Sequence, residues 1–117
     1  MDERIKKYLA DIQFAIEEIE NYVSQRPKQY KIFLSDSMFR SAIERKVEII
    51  GEAMNRILKI DPNISISNSR NIVNTRNYVI HAYDTLSPEI IWGIVVNDID
   101  LLKPTLFLQS KNKSEQK

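Results

Sequence analysis

Residues 3–24 read ERIKKYLADIQFAIEEIENYVS. Within them Ile5, Leu9, Ile12, Ile16, Ile19 and Val23 recur at alternating steps of four and three, with charged and polar residues between. That spacing gathers the apolar side chains on one seam of a helix. A sustained seam of this kind marks helices packed at a shallow angle in a bundle. A half-buried strand would alternate apolar and polar residues instead. Arg26-Pro27 closes the helix, because the residue before a proline is pushed out of helical geometry.

Residues 28–35 admit two readings: a short helical turn carrying Tyr30, Ile32, Phe33 and Leu34, or an extended linker. Ser35 or Asp36 then caps a second long helix that runs to about Ile60. Its apolar residues are Met38, Phe39, Ala42, Ile43, Val47, Ile49, Ile50, Ala53, Met54, Ile57 and Leu58. They cover an arc wider than one face, as expected of a helix packed on several neighbours or on another subunit. Asp61-Pro62-Asn63 stops it. A third helix is expected from Ser65 or Ser67 to about Tyr83. Ser87-Pro88-Glu89 opens a fourth, with serine at the cap, proline at the first helical position and a carboxylate near the positive end of the dipole. Ile90, Ile91, Ile94, Val95, Ile99, Leu101 and Leu102 give it another broad apolar arc, which Pro104 kinks or ends. The sequence therefore predicts an all-α fold, an antiparallel bundle of four main helices over residues 1–110. A polar tail over 111–117 is expected to be disordered.

Composition sets limits on chemistry. The chain has 117 residues, enough for one domain with a single core. With 2 glycines and 4 prolines there are few places to turn, which favours long helices. The absence of cysteine excludes disulfides and thiol chemistry and fits a cytoplasmic protein. One histidine and scattered carboxylates make no recognisable metal-ligand cluster, so no metal or other cofactor is expected. Residues 1–12 mix charged with apolar residues, unlike a signal peptide, and Ile90 to Val96 is too short an apolar run to cross a bilayer. Net charge is only +1, but it is unevenly spread. Residues 1–25 hold three basic and six acidic groups, and residues 26–59 hold eight basic and four acidic. A local positive excess suits phosphates, although a solvated helix face has the same composition.

The single histidine lies in Arg76-Asn77-Tyr78-Val79-Ile80-His81-Ala82-Tyr83. Such a stretch puts a fixed cation, a titratable imidazole and a phenol within little more than two helical turns. With Arg76 at zero on a helical wheel, Asn77 falls near about 100°, His81 near about 140° and Tyr83 near about 340°. Arg70 and Asp84 join Asn77 and His81 on one polar face. Tyr83 sits beside Arg76, towards Ile72 and Val79 on the apolar side. One helix thus spreads Arg76 and His81 apart, whereas two such helices facing across a twofold axis would bring two copies of each into one cleft.

These groups suit metal-free cleavage of RNA. An imidazole with a pKa near ~6.5 serves as base or acid at neutral pH. A guanidinium holds phosphoryl oxygens bidentately as charge builds on them. Each residue also has a structural reading. Arg76 could pair with Glu48 or Glu52, Asn77 could orient His81 across one turn, and Tyr83 could be a core aromatic with a surface hydroxyl.

Arg76-Asn77-x3-His81-x-Tyr83 resembles the signature of the HepT-like branch of the HEPN-domain ribonucleases. Ala42-Ile43-Glu44-Arg45-Lys46-Val47-Glu48-Ile49-Ile50-Gly51-Glu52-Ala53 resembles that family's second-helix block. Ser87 to Leu102, with Trp92 and Asn97-Asp98, resembles the helix after the motif. The small, polar stretch Ile66 to Ser69 and the late Pro104 depart from the family pattern. The resemblance implies a helical HEPN-like bundle that forms a homodimer around the motif helices. It implies metal-independent RNA cleavage by Arg76 and His81, with Asn77 in support and tRNA or mRNA as candidate substrates. It also implies a toxin of a type VII toxin–antitoxin system. Its antitoxin partner would be an MntA-like minimal nucleotidyltransferase that adenylylates Tyr83. Two other functions stay open on the sequence: a non-catalytic HEPN-type binding partner of a nucleotidyltransferase, and a plain helical homodimer. An intact Arg-x4-His favours the ribonuclease, since a pure binder needs no proton-transfer group.

Overall fold

A computed structural model describes residues 2–64 and 87–99, with only the backbone of Asp98. Its helices are α1 (Glu3–Ser24), α2 (Tyr30–Ser35), α3 (Ser37–Ile60) and α4 (Pro88–Gly93), and α4 continues into a π-helical turn, Ile94–Asp98. No strand occurs among the described residues. The expected all-α class is therefore observed. The expected third helix, Leu101, Leu102, Pro104 and the 111–117 tail lie outside the described residues.

The helix ends follow from local chemistry. Asp2 caps α1, its carboxylate accepting from the Arg4 backbone N–H at 2.7 Å. The Arg4 side chain adds two further bonds to that carboxylate, and these contacts hold its pKa down to about 2. Asp36, not Ser35, caps α3, with Oδ1 accepting from the Phe39 N–H at 3.0 Å. At the far end of α3 the Asp61 N–H donates to the Ile57 carbonyl. Asp61 Oδ1 then accepts from the Asn63 N–H, closing a tight turn. Ser87 caps α4 through its hydroxyl, and Pro88 takes the first turn, where its missing N–H costs nothing.

α1 and α3 form an antiparallel pair. Tyr8 and Asp11 of α1 share a cleft with Glu52 and Arg56 of α3. Tyr22 and Arg26, near and just past the end of α1, share another with Met38 and Ala42 at the start of α3. Halfway along, Lys46 donates to Glu18 at 3.1 Å, and the Tyr22 hydroxyl donates to the other Glu18 oxygen at 3.0 Å. The predicted seam is the buried face of α1: Ile5, Leu9, Ile12, Ile16 and Ile19 are buried, joined by Ala15, while Val23 is half-buried. Opposite stand Phe39, Ile43, Val47, Ile50, Met54 and Ile57 of α3. Fully burying a side chain of this size contributes roughly 1.5–3 kcal/mol, so this interface is the principal source of cohesion among the described elements. Met38, placed on the apolar arc by sequence, is 82% exposed.

α2 turns the corner between the long helices and supplies Phe33, which has no exposed surface. Its ring meets Phe39 edge-on at 5.8 Å and Trp92 of α4 at 5.0 Å. This aromatic cluster docks α4 onto the α2 end of the pair. The buried residues of α4 and its extension then fall at Ile91, Val95 and Ile99, steps of four, with Trp92 and Ile94 beside them. In a regular α-helix Ile99 would lie about 80° from Ile91. The wider π turn absorbs part of that drift and keeps Ile99 on the buried side.

Gly93 precedes the π turn in ordinary helical geometry, φ −58° and ψ −40°. A Cβ there would meet nothing within 4 Å. Glycine within a helix costs about 0.5–1 kcal/mol relative to alanine, so Gly93→Ala is expected to raise Tm by about 2–6 °C in a thermal melt. A lower Tm would mean that the space is filled in the assembled protein.

Candidate functional site

Arg76, Asn77, His81 and Tyr83 lie outside the described residues, as do Arg70 and Asp84. Their flanks are described, and both are anchored. Ile64 packs against the core just after the Asp61 turn, and Ser87 caps α4. Beyond the Ser87 cap, Trp92 of α4 packs on Phe33 at the α2 end of the bundle.

Glu48 and Glu52, the carboxylates that sequence offered as partners for Arg76, each have a neighbour on α3. Glu48 pairs with Arg45 at 3.1 Å and Glu52 with Arg56 at 3.2 Å. Both pairs are well exposed and contribute little to stability. Glu44 is different. Burial pushes its carboxyl above the usual carboxylate range and nearby Glu48 adds to this, while Arg40 one turn earlier opposes both. Glu18 moves the other way, below its usual value, because Lys46 and then Tyr22 donate to it. Trp92 serves the core by packing on Phe33, and Asn97 is exposed on the π turn. Gly51 is buried on α3.

The α2 end carries a feature that sequence showed only as a regional charge excess. The Arg26 guanidinium lies 4.6 Å from the centre of the Phe39 ring. Its Nε donates to Asp36 at 3.1 Å and another nitrogen donates to the Tyr22 carbonyl at 3.3 Å. Asp36 sits below the usual carboxylate range, first because the Phe39 N–H binds it and then because Arg26 does. Arg26 is thus a cation fixed in place, and it borders a cleft of about 290 Å³ lined by Tyr22, Gln25, Met38, Phe39 and Ala42. Among the described residues no ion pair involves Lys28, Lys31 or Arg40, whereas Arg45, Lys46 and Arg56 are all paired. Arg40 instead donates to the Leu34 carbonyl. Among the described residues no group of His, Asp and Glu side chains is placed to hold a metal ion. None of the described helices is long and apolar enough to cross a membrane.

An all-helical bundle with an Arg-x4-His-x-Tyr segment between α3 and α4 defines the class, and comparison with known proteins identifies the family. The family profile described as "Ribonuclease HepT-like" matches residues 12–107. A protein of Thermococcus cleftensis named "Probable ribonuclease HepT" is 36% identical over 102 residues, covering 84% of this chain and 88% of that protein. A protein of Methanocaldococcus jannaschii named "Putative RNase MJ1380" is 30% identical over 104 residues, covering 85% and 90%. No solved structure gives a significant match. The chain belongs to the HepT-like ribonuclease family.

Proposed function

We propose that this protein is a cytoplasmic RNA endonuclease, the toxin of a type VII toxin–antitoxin pair, with a metal-independent site built by two protomers. The observation that carries the reading is the extent of the family match. Residues 12–107 take in the whole of Arg76-Asn77-x3-His81-x-Tyr83, so family membership and motif coincide in one segment. The names of both relatives point to the same activity class.

In the proposed reaction the 2′-oxygen of a ribose attacks the adjacent phosphorus and the bond to the 5′-oxygen breaks. His81 of one protomer takes the 2′-hydroxyl proton as the P–O2′ bond forms. His81 of the partner subunit, protonated, gives its proton to the departing 5′-oxygen. Arg76 binds the non-bridging oxygens, whose charge grows in the phosphorane. Asn77 helps orient the imidazole. Products are a 2′,3′-cyclic phosphate and a 5′-hydroxyl. Control falls to a minimal nucleotidyltransferase that transfers AMP to Tyr83.

The experiment is direct. Purified, unmodified protein is incubated with total RNA in EDTA, and its mass in solution is measured by light scattering. Cleavage to cyclic-phosphate ends by a dimer is the expected result. A monomer that cleaves as well as any dimer would remove the composite site, since on one helix Arg76 and His81 would fall about 140° apart.

A further inference from the structure

We propose that the end of the bundle formed by the close of α1, α2 and the start of α3 is a docking surface for single-stranded RNA, outside the Arg-x4-His motif. Lys28 and Lys31 contact phosphates there, and the Arg26–Met38 cleft receives a base. The proposal rests on the ribonuclease reading and adds to it where the substrate strand runs beyond the cut.

Charge is the first support. Residues 26–40 hold four basic side chains and one acidic, against three basic and six acidic in residues 1–25. The fold keeps that excess at one end of the α1–α3 pair, because α2 turns the chain back on itself between them; Arg26 lines the Met38 cleft, and Lys28 lines a separate one with Glu20, Ser24, Val95 and Ile99. Lys28 and Lys31 are exposed, and no ion pair among the described residues uses them. Unpaired cations grouped at one end favour a polyanion over a neutral or acidic-patch partner of mixed charge.

Shape is the second support. Met38 is 82% exposed although it begins the main core helix, and it borders the same cleft as Tyr22 and Arg26. A phenol ring, a thioether and a guanidinium already fixed on Phe39 and Asp36 surround one opening of about 290 Å³. Groups of this kind take a base by stacking while neighbouring cations take its phosphates, without reading sequence.

The test uses the full chain in a His81→Ala background, so that binding is measured without cleavage, with a fluorescein-labelled unstructured RNA as the probe. Each phosphate contact on a single strand contributes about 0.7 to the slope of log affinity against log salt. Lys28→Gln with Lys31→Gln should therefore flatten the slope by about 1.4 and weaken binding roughly 20-fold at ~0.1 M salt. Met38→Thr should weaken binding several-fold and leave the slope unchanged. Lys6→Gln with Lys59→Gln removes the same charge from the opposite end and should alter neither. Equal losses from both lysine pairs would overturn the proposal, because RNA would then be sensing net charge alone. So would unchanged RNA binding by Lys28→Gln/Lys31→Gln with lost capture of the nucleotidyltransferase, which would make the surface a protein interface. Cleavage by the parent with unaltered binding of every variant defeats this proposal alone. A parent that neither binds nor cleaves RNA defeats the ribonuclease reading with it.

Discussion

Arg76→Ala and His81→Ala should each lower the rate of RNA cleavage by a hundredfold or more while leaving the helical circular-dichroism signal intact. Removing one preorganised contact to developing transition-state charge typically costs about 2.7–4 kcal/mol, which sets the scale for Arg76. In the proposed mechanism His81 of the two protomers carries proton transfer on both sides of the reaction. Its loss should therefore be at least as severe, and the two losses should not add if the residues act on one transition state. Arg76→Lys is informative beside them. It keeps the charge but loses the planar fork, so partial recovery would assign Arg76 a mainly electrostatic role and no recovery a bidentate one. Mixed dimers sharpen the test. If the two imidazoles serve one cut, a heterodimer of parent and His81→Ala should fall well below half the parental rate. Cleavage that survives His81→Ala, with cyclic-phosphate ends still formed, would remove the mechanism.

The stable core of this protein could be read from spacing and caps, and its functional geometry could not, for physical reasons that differ from place to place. The Ile5-to-Val23 seam, the end of α3 at Asp61 and the Ser87 cap appear in the structure where periodicity and side-chain chemistry put them, and of the two residues offered as the α3 cap the structure takes Asp36. Long amphipathic helices declare themselves because every turn repeats the same signal. α2 did not, since six residues are too few for a period, and Phe33 is buried by the fold rather than by a pattern. The π turn was equally hidden: a step of four from Val95 to Ile99 is permitted in an ordinary helix, and only packing reveals the widened turn. Met38 failed as a core residue because it borders an open cleft beside Tyr22 and Arg26, while its neighbour Phe39 takes the buried position. For the site, the motif offered candidate residues and a chemistry for them, and those residues lie outside the described ones. The fixed Arg26 cation needed the structure, because its partners Asp36 and Phe39 are brought to it only when α2 reverses the chain.

Adenylylation of Tyr83 should silence the enzyme without unfolding it. On a helix Tyr83 would fall about 20° from Arg76, and the proposed control has its hydroxyl facing the place where an RNA phosphate binds. Attack of that hydroxyl on the α-phosphorus of ATP would leave a phosphodiester and a bulky adenosine there, with pyrophosphate departing. The new phosphate would claim the Arg76 guanidinium and repel the RNA backbone, as other added charges do. RNA binding and cutting should both be lost, with the melting temperature little changed. Tyr83→Phe keeps the ring and removes the acceptor oxygen. Co-expressed with its nucleotidyltransferase, the parent should be neutralised and should gain the mass of one or more AMP groups. Tyr83→Phe should stay toxic and gain none. This pair of readouts separates modification from steric blocking, because a partner that merely covers the site would neutralise both proteins equally. Neutralisation of Tyr83→Phe, with no mass added to the parent, would assign control to occlusion and discard the phenol as its target.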